Sequence, residues 1–248
     1  MLLSKQYLMH TVLITGAAKR IGEALAHHFA QRGWEVIIHC NNSRGDADRL
    51  STHLRNLFED RQFPVIAADF SDPVSASDAI FSELRILNLC PEVLINSASV
   101  FNPGLLADTS YTHLRRQMTV NFEAPFMLMK AFRQYCKMGC IVNILDTRVT
   151  SNDSRHAAYT LSKKVLMHLT EMAGLEWAPE IRVNAVAPGA VLPPPGQDET
   201  YLKDVVAGTP LKQAVSPGDL ADAVWFLVNN GTITGQIIYC DGGAHLGK

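Results

Sequence analysis

Residues 11–22 join a short apolar run to a glycine-rich turn, and this junction constrains the fold more than any other feature. Residues 11–15, TVLIT, are rich in β-branched side chains and predict a buried strand. The strand leads into GAAKRIG, from Gly16 to Gly22, and then into a helical pattern that extends to about Arg32. A strand, a tight glycine turn and a helix N-terminus together favour a bound phosphate, because glycine lets the backbone approach closely and the exposed N–H groups attract an anion. The alternative is an ordinary turn without a ligand.

Short apolar runs and helical patterns alternate along the rest of the chain. Further strands are predicted at 35–40, 64–68, 92–96, 141–145, 181–187 and 236–240, and the longer helices at 111–137, 154–177 and 217–228. This regular alternation predicts the α/β class, with a single doubly wound parallel sheet and helices on both faces. We expect a tail over residues 1–10, one domain over 11–248, and a proline- and glycine-rich substrate loop over about 190–210.

The composition limits the classes of function. Hydrophobic residues make up 47% of the 248 residues and charged residues 19%, as in globular proteins. The net charge of −2 and the lack of a basic block argue against a nucleic acid partner, and no apolar run is long enough for a membrane span. Five scattered cysteines and unpaired histidines lack the spacing of metal ligands, so we expect reduced thiols, no metal and a cytoplasmic location.

The end of the second predicted strand indicates which nicotinamide cofactor the glycine turn would serve. The sequence there is His39-Cys40-Asn41, without the acidic residue that would bind the ribose hydroxyls of NAD. Neutral and cationic donors suit a 2′-phosphate instead, which favours NADP; they are Asn42, Ser43, Arg44, Lys19 and Arg20. We expect Asp69 to accept a hydrogen bond from the adenine amino group; the alternative, a cap of the helix that begins at Pro73, is compatible with this role. We interpret His39 as a packing residue near the adenosine.

A second group of reactive residues follows the strand at 141–145. Tyr159 and Lys163 are four residues apart and therefore project from one face of a helix. A lysine ammonium beside the phenol is expected to lower the tyrosine pKa, which makes Tyr159 a candidate proton donor. Asp146 follows the strand at its carboxyl end, where open α/β sheets bind ligands. Its alternative role is a cap beside Thr147 and Ser151.

These motifs resemble those of the short-chain dehydrogenase/reductase superfamily over essentially the whole chain. The matching elements are TGAAKRIG at 15–22, Asp69, Asn96-Ser97-Ala98, Asn121, Tyr159 with Lys163, Pro188-Gly189 and Asp241-Gly242-Gly243. The resemblance implies a Rossmann fold, NADP(H) as cofactor, and Asn121, Tyr159, Lys163 and the residue at 146 as the catalytic group. It also implies a cofactor site formed by Gly16, Lys19, Arg20, Ile21, Gly22, Asn41, Asn42, Ser43, Arg44, Asp69, Phe70, Asn96, Ser97, Ala98, Tyr159, Lys163, Pro188 and Gly189.

Two departures from the superfamily pattern resemble its pteridine reductase branch, which includes dihydromonapterin and dihydrofolate reductases. Arg20 stands where a further glycine is usual, and Asp146 stands where the catalytic serine is usual, 13 residues before the tyrosine. That branch also places an aromatic residue, here Phe101, against a pterin ring. The resemblance implies that the substrate contacts Arg20, Ser99, Phe101, Asp146 and Tyr159. The alternative for Phe101 is a core aromatic.

The chemistry of Asp146 supports the same branch. An ionised carboxylate repels the negative charge that builds on a carbonyl oxygen, whereas it accepts hydrogen bonds from the ring N–H groups of a pterin. A protonated Asp146 would instead donate a proton to a ring nitrogen. We therefore expect an NADPH-dependent reductase of a pterin C=N bond, of the dihydrobiopterin, dihydromonapterin or dihydrofolate type.

The sequence also allows two other activities, and the resemblance implies an assembly. One alternative activity is a carbonyl reductase, such as a 3-oxoacyl-carrier-protein or sugar ketone reductase, and another is a non-catalytic NADP-binding regulator. The superfamily resemblance implies a homotetramer formed through the helices at 111–137 and 154–177. The side chains that would form its apolar stripe, or else pack in the core, are Met118, Phe122, Phe126, Met129 and Phe132.

Overall fold

Seven parallel strands form one sheet in the computed structural model, which describes residues 10–193, 196 and 198–247. Residues 1–9 of the predicted tail therefore lie outside the described residues. The strands are β1 (Thr11–Ile14), β2 (Glu35–Cys40), β3 (Val65–Ala67), β4 (Val93–Asn96), β5 (Gly139–Ile144), β6 (Ile181–Pro188) and β7 (Ile237–Cys240). Their order across the sheet is β3-β2-β1-β4-β5-β6-β7, and each neighbouring pair is parallel. The predicted α/β class and parallel sheet are confirmed.

Helices cover both faces of the sheet. They are α1 (Arg20–Gln31), α2 (Arg44–Leu57), α3 (Pro73–Ile86), α4 (Tyr111–Met118), α5 (Ala124–Cys136), α6 (Ala157–Glu176), α7 (Glu199–Val206) and α8 (Pro217–Asn229). Each parallel strand needs such a crossover, and the helices bury their apolar sides on the sheet. None of the helices that the structure describes is long and apolar enough to cross a membrane.

Successive residues of the central strands face opposite sides of the sheet, so two cores form. In β1, Val12 and Ile14 pack in one core while Leu13 packs in the other. The first core includes Phe29 of α1 and Leu220 of α8, and the second is built from α3 and α5. The continuous apolar runs in the sequence follow from this burial on both faces.

Two helical segments differ from the sequence prediction. The predicted helix over 111–137 is divided into α4 and α5 by a π-helical turn at Thr119–Glu123. Residues 190–210, predicted as a loop, contain the helix α7, whose N-cap Asp198 accepts a hydrogen bond from the Thr200 N–H. Of the predicted stripe on α5, Met129 and Phe132 are fully buried in the core, whereas Phe126 is exposed.

The order of the strands determines where a crevice for a ligand forms. It reverses between β1 and β4, because the chain adds β2 and β3 on one side and β4 to β7 on the other. Helices on the two faces diverge at such a point and leave a crevice at the carboxyl ends of the strands. Gly16, Ser97 and Asp146 follow β1, β4 and β5 and all border this crevice.

Candidate active site

A cleft of about 1620 Å³ lies at the carboxyl ends of the strands. Its walls include most of the residues that the sequence assigned to cofactor and substrate: Gly16, Lys19, Arg20, Ile21, Gly22, Asn41, Asn42, Asp69, Phe70, Ser97, Ala98, Ser99, Phe101, Asp146, Tyr159, Lys163, Pro188 and Gly189. Residues that are distant in sequence therefore share one cavity. The cleft is long enough to border both the glycine turn after β1 and the polar loop after β5.

The glycine turn leaves no room for side chains at two positions. A Cβ atom on Gly16, whose φ is +64°, would lie 2.9 Å from the Cα of Ala98. A Cβ atom on Gly22 would lie 2.1 Å from the carbonyl oxygen of Gly16. The α1 N-cap, Lys19, makes no side-chain hydrogen bond to the helix, so side chains leave its first N–H groups open. A diphosphate fits this arrangement, since backbone N–H groups at a helix N-terminus bind anions.

Arg20 occupies the position at which the superfamily usually has glycine, and its backbone explains that preference. Its φ is +57°, in the left-handed region that glycine adopts without strain and other residues adopt at a cost. The side chain lines the cleft, and its Nη2 donates to the carbonyl oxygen of Pro193, 2.9 Å away. Arg20 thus connects the glycine turn to the start of the 190–210 segment.

His39 is hydrogen-bonded to the glycine turn. Its Nδ1 accepts a hydrogen bond from the Gly16 N–H at 3.2 Å, and its Nε2 lies 3.2 Å from the carbonyl oxygen of Ala68. The imidazole stacks on Phe70 with ring centroids 4.4 Å apart. Burial lowers the pKa of His39 to about 4, so the ring is neutral near pH 7, as its role as an acceptor at Nδ1 requires. His39 therefore does more than fill space.

Asp69 borders the cleft and is not the helix cap. Its Oδ1 accepts hydrogen bonds from the Ser71 N–H at 2.9 Å and from Asn41 Nδ2 at 3.0 Å. These hydrogen bonds, chiefly those from Ser71, lower the pKa of Asp69 and keep it an acceptor. Asp72 is the residue that caps α3, through a bond from the Ser75 N–H.

Three of the residues assigned to the cofactor do not border the cleft. Arg44 is exposed and donates from Nε to both oxygens of Asp48, at 2.9 and 3.1 Å, which is a pair four residues apart along α2. Ser43 is the α2 N-cap and lies outside the cleft. Asn96 is buried, and its Nδ2 donates to Asn143 Oδ1 at 2.8 Å, because the last residue of β4 faces the core. Lys19 does border the cleft, but Asp46 lies 2.5 Å from its Nζ.

Tyr159 and Asp146 are in direct contact beside the cleft. The Tyr159 hydroxyl donates to Asp146 Oδ2 at 3.0 Å. Arg148 donates to the same carboxylate from its backbone N–H, at 2.8 Å from Oδ1, and from Nη1, at 3.0 Å from Oδ2. Asp146 is therefore surrounded by donors and acts as an acceptor, while also capping the short turn Thr147–Thr150. Of the two roles considered from the sequence, the cap is present, and the carboxylate also borders the cleft, where the proposed substrate role requires it.

The pKa of Tyr159 moves in the opposite direction from the sequence expectation. Burial of the phenol and the adjacent Asp146 carboxylate raise it well above 10. Lys163 donates from Nζ to the Ile144 carbonyl oxygen at 2.8 Å and lies 5.8 Å from the Tyr159 ring centroid. Burial lowers the pKa of Lys163 to about 8, against the attraction of Asp146. With its pKa raised, Tyr159 keeps its proton at neutral pH and directs it toward Asp146.

Asn121 lies inside the π-helical turn, and its amide is fully used. Its Nδ2 donates to Val100 O, Gln117 Oε1 and Ser162 Oγ at 2.9–3.1 Å, and its Oδ1 accepts from the Val100 N–H at 2.9 Å. Asn121 is fully buried and does not line the cleft. The structure thus places Asn121 as a support of the loop after β4.

Phe101 is a cleft residue and not a core aromatic. Its side chain is 39% exposed, stacks on His156 with ring centroids 4.4 Å apart, and meets the Tyr159 ring edge-on at 4.7 Å. Its loop is fixed to the start of α6, because the Gly104 N–H donates to the Arg155 carbonyl and the Ala157 N–H to the Gly104 carbonyl, at 2.9 and 3.0 Å. A planar ligand can therefore meet a fixed aromatic ring beside the tyrosine.

Three residues of the site were not singled out for it from the sequence. They are Arg148 and His156, which border the cleft, and Asp241, which accepts from Thr147 Oγ1 at 2.5 Å and thereby ties the C-terminal segment to the loop after β5. A charged residue two positions after Asp146 was a signal for Arg148, since both follow the same strand end. His156 and Asp241 could be assigned only from the contacts.

Comparisons with known proteins agree with this geometry. Residues 16–245 match the family model described as enoyl-(acyl carrier protein) reductase. The dihydromonapterin reductase of Klebsiella pneumoniae is 29% identical over 246 residues, which cover 95% of this chain and 96% of that protein. The 2,3-dihydro-2,3-dihydroxybenzoate dehydrogenase of Bacillus subtilis is 31% identical over 252 residues, with 94% and 95% covered. The crystal structure of FolM alternative dihydrofolate reductase 1 from Brucella suis in complex with NADP superposes with a TM-score of 0.82 at 31% identity, covering 96% of each chain.

Proposed function

The chain belongs to the short-chain dehydrogenase/reductase family, and we propose that within this family it is an NADPH-dependent reductase of a pterin C=N bond. The observation that carries the proposal is the carboxylate of Asp146, which accepts the hydrogen bond of Tyr159 at 3.0 Å. The relatives at about 30% identity include a dihydromonapterin reductase and a FolM dihydrofolate reductase with bound NADP, which supports both the cofactor and the substrate class.

The cofactor fits the residues at the glycine turn and at the adenine end of the cleft. The open N–H groups of α1 and the close backbone at Gly16 and Gly22 suit a diphosphate, and Arg20 and Asn42 suit the 2′-phosphate. Asp69, a carboxylate on the same cleft, suits the adenine amino group. When bound, NADPH supplies the hydride for the reduction.

The proton that the substrate receives is held on Tyr159, beside Asp146 and Lys163. The phenol keeps its proton because burial and Asp146 raise its pKa, so Tyr159 is a donor at neutral pH. The negative charge of Asp146 disfavours a growing oxyanion but accepts N–H groups, which matches an aminopyrimidinone ring. Lys163 is anchored to the end of β5 and supplies positive charge close to the phenol. A ring nitrogen of the substrate receives the proton as the neighbouring carbon is reduced.

Phe101 and the loop at 99–104 orient the substrate. The exposed part of Phe101 offers a planar apolar surface beside Tyr159. Stacking on a fixed ring limits the rotation of a flat substrate, which lowers the entropic cost of reaching the reactive geometry. Ser99 donates to Asn121 Oδ1 at 3.1 Å and lines the cleft, so its hydroxyl is held at the substrate end.

The test is a substrate panel with the purified chain. NADPH consumption is followed with dihydrobiopterin, dihydromonapterin and dihydrofolate, and in parallel with an acetoacetyl thioester. We expect turnover with the pterins. Turnover with the thioester alone would identify a carbonyl reductase, and NADPH that binds without being consumed by any substrate of the panel would favour a regulator.

A further inference from the structure

Arg148 contacts both residues that the proposed function uses to select a pterin. Its Nη1 lies 3.0 Å from Asp146 Oδ2 and 3.3 Å from Oδ1, and its backbone N–H is bonded to Oδ1. The guanidinium carbon lies 5.2 Å from the ring centroid of Phe101, within the range of a cation–π contact. The side chain is 29% exposed and borders the cleft.

These contacts fix the direction of the Asp146 carboxylate. Arg148 donates from its backbone N–H to Oδ1 and from Nη1 to both oxygens, and Tyr159 donates to Oδ2, the oxygen that also accepts the shorter bond from Nη1. Charge-assisted hydrogen bonds of this kind are stronger than neutral ones and restrict rotation of the carboxylate. Arg155, the next arginine along the chain, is paired with a different carboxylate, that of Asp153, at 2.6 Å.

Phe101 receives support from the same guanidinium. Its ring stacks on His156 and contacts Tyr159, and Arg148 adds a third neighbour. The position of the aromatic surface and the position of the carboxylate are therefore set by one side chain. A substrate that needs both, namely a flat ring with N–H donors on its edge, gains from this arrangement, and a simple ketone does not.

We propose that Arg148 is a positioning residue that sets substrate specificity, by holding Asp146 and Phe101 in the arrangement that accepts a pterin ring. The inference rests on the proposed function. Replacing the Arg148 side chain leaves the carboxylate held by the backbone N–H of residue 148 and by Tyr159, without the guanidinium, and Phe101 loses one of its three neighbours. Binding of the pterin then weakens, while the glycine turn, which binds the cofactor, is unaffected.

The experiment compares Arg148→Met, Arg148→Lys and a matched control. The control is Arg32→Met, because Arg32 also pairs with a carboxylate, Asp222 at 3.3 Å, and lies 5.3 Å from an aromatic centroid, that of Trp225, but does so away from the cleft. The readouts are the Kd of dihydrobiopterin for the protein with NADP⁺, which cannot donate hydride, and the KM values of both substrates.

We expect Arg148→Met to raise the Kd and KM of dihydrobiopterin by roughly tenfold to a hundredfold, with an unchanged KM for NADPH. Arg148→Lys keeps the charge without the planar fork, so its values fall between those of Arg148→Met and the wild type. Arg32→Met behaves as the wild type toward both substrates. Wild-type pterin binding in Arg148→Met would overturn the inference.

A double-mutant cycle keeps the inference testable without a substrate. Arg148→Met, Asp146→Asn and the double variant are compared in urea unfolding, and the effects of the two single changes are expected not to add. If the wild type neither binds nor reduces pterins but the two residues are coupled, the pterin assignment fails and Arg148 still supports Asp146. If pterins are reduced but Arg148→Met binds them as the wild type does, the inference on Arg148 fails alone.

Discussion

The Tyr159 hydroxyl donates a hydrogen bond to the Asp146 carboxylate at 3.0 Å, and this contact defines the chemistry of the cleft. A hydroxyl at position 146 could donate to a developing oxyanion, whereas a carboxylate can only accept while it is charged. The tyrosine proton is therefore directed toward the Asp146 carboxylate at the wall of the cleft. This arrangement suits protonation of a ring nitrogen better than stabilisation of an alkoxide.

Tyr159→Phe removes the proton donor. We expect turnover to fall by about 10²- to 10⁴-fold, the usual contribution of a positioned acid, because the hydroxyl is the group bonded to Asp146. NADPH binding, measured by fluorescence titration, should stay at the wild-type level, since the substitution keeps the aromatic ring and leaves the glycine turn unchanged. Full activity in this variant would remove Tyr159 from the mechanism.

Lys163 makes stability depend on pH. Burial lowers its pKa to about 8, below the ordinary 10.5 of the unfolded chain. Between these values the unfolded state binds more protons, so the contribution of Lys163 to stability rises with pH and is complete above the unfolded pKa. In Lys163→Met this gain, on the order of 1–2 kcal/mol midway between the two values, is absent.

The free energies of unfolding of the wild type and Lys163→Met are compared by urea unfolding, at neutral pH and at a pH midway between the folded and unfolded pKa values of Lys163. Burial raises the pKa values of the thiols of Cys136 and Cys140, and these groups titrate in both proteins and cancel in the difference. Parallel pH profiles for the wild type and Lys163→Met would show that the ammonium does not experience the burial described.

His39→Leu should affect the cofactor and not the chemistry. The substitution leaves the Gly16 N–H without its acceptor and removes the stack on Phe70. A lost hydrogen bond of this kind corresponds to roughly a tenfold rise in the KM for NADPH, with kcat little changed. His39→Gln, whose amide oxygen can accept, should recover part of the loss, and His168→Leu, an exposed site, is the control. A KM for NADPH that is the same in His39→Leu and His168→Leu would contradict this role.

A homotetramer remains our expectation for the assembly. Phe126 on α5 and Met172 and Leu175 on α6 are exposed apolar side chains on the two helices assigned to the interface. Leu175→Glu should shift the species seen in sedimentation velocity to smaller assemblies, whereas Leu57→Glu, at an exposed apolar site on α2, should not. A wild-type chain that sediments as a monomer would reject the assembly.

The elements that depend on local pattern were predictable from the sequence. Buried parallel strands appear as short apolar runs, so all seven were predicted to within a few residues, and the alternation gave the topology class. Helix α7 was missed because its eight residues, Glu199–Val206, follow a proline- and glycine-rich stretch that indicates a loop. The π-helical turn at Asn121 does not interrupt the apolar pattern and so leaves no signal in it.

Contacts between side chains were less accessible. The spacing of Tyr159 and Lys163 placed the lysine on the same helix face as the phenol, but only the structure shows that Lys163 binds the Ile144 carbonyl and that burial, together with Asp146, raises the tyrosine pKa. Arg44 was assigned to the 2′-phosphate by its position after β2, and in the structure it pairs with Asp48 on the same helix and lies outside the cleft. Such partner choices depend on distances that one sequence does not contain.

The substrate specificity of Asp146→Ser relative to the wild type tests the proposed role of Asp146 most directly. The ratio of kcat/KM for dihydromonapterin to kcat/KM for an acetoacetyl thioester is measured for both proteins with NADPH. We expect the wild type to favour the pterin, and we expect the pterin kcat/KM to fall roughly tenfold to a hundredfold in Asp146→Ser while the thioester kcat/KM rises. A wild type that reduces only the thioester, or a ratio unchanged by the substitution, would contradict the proposed role.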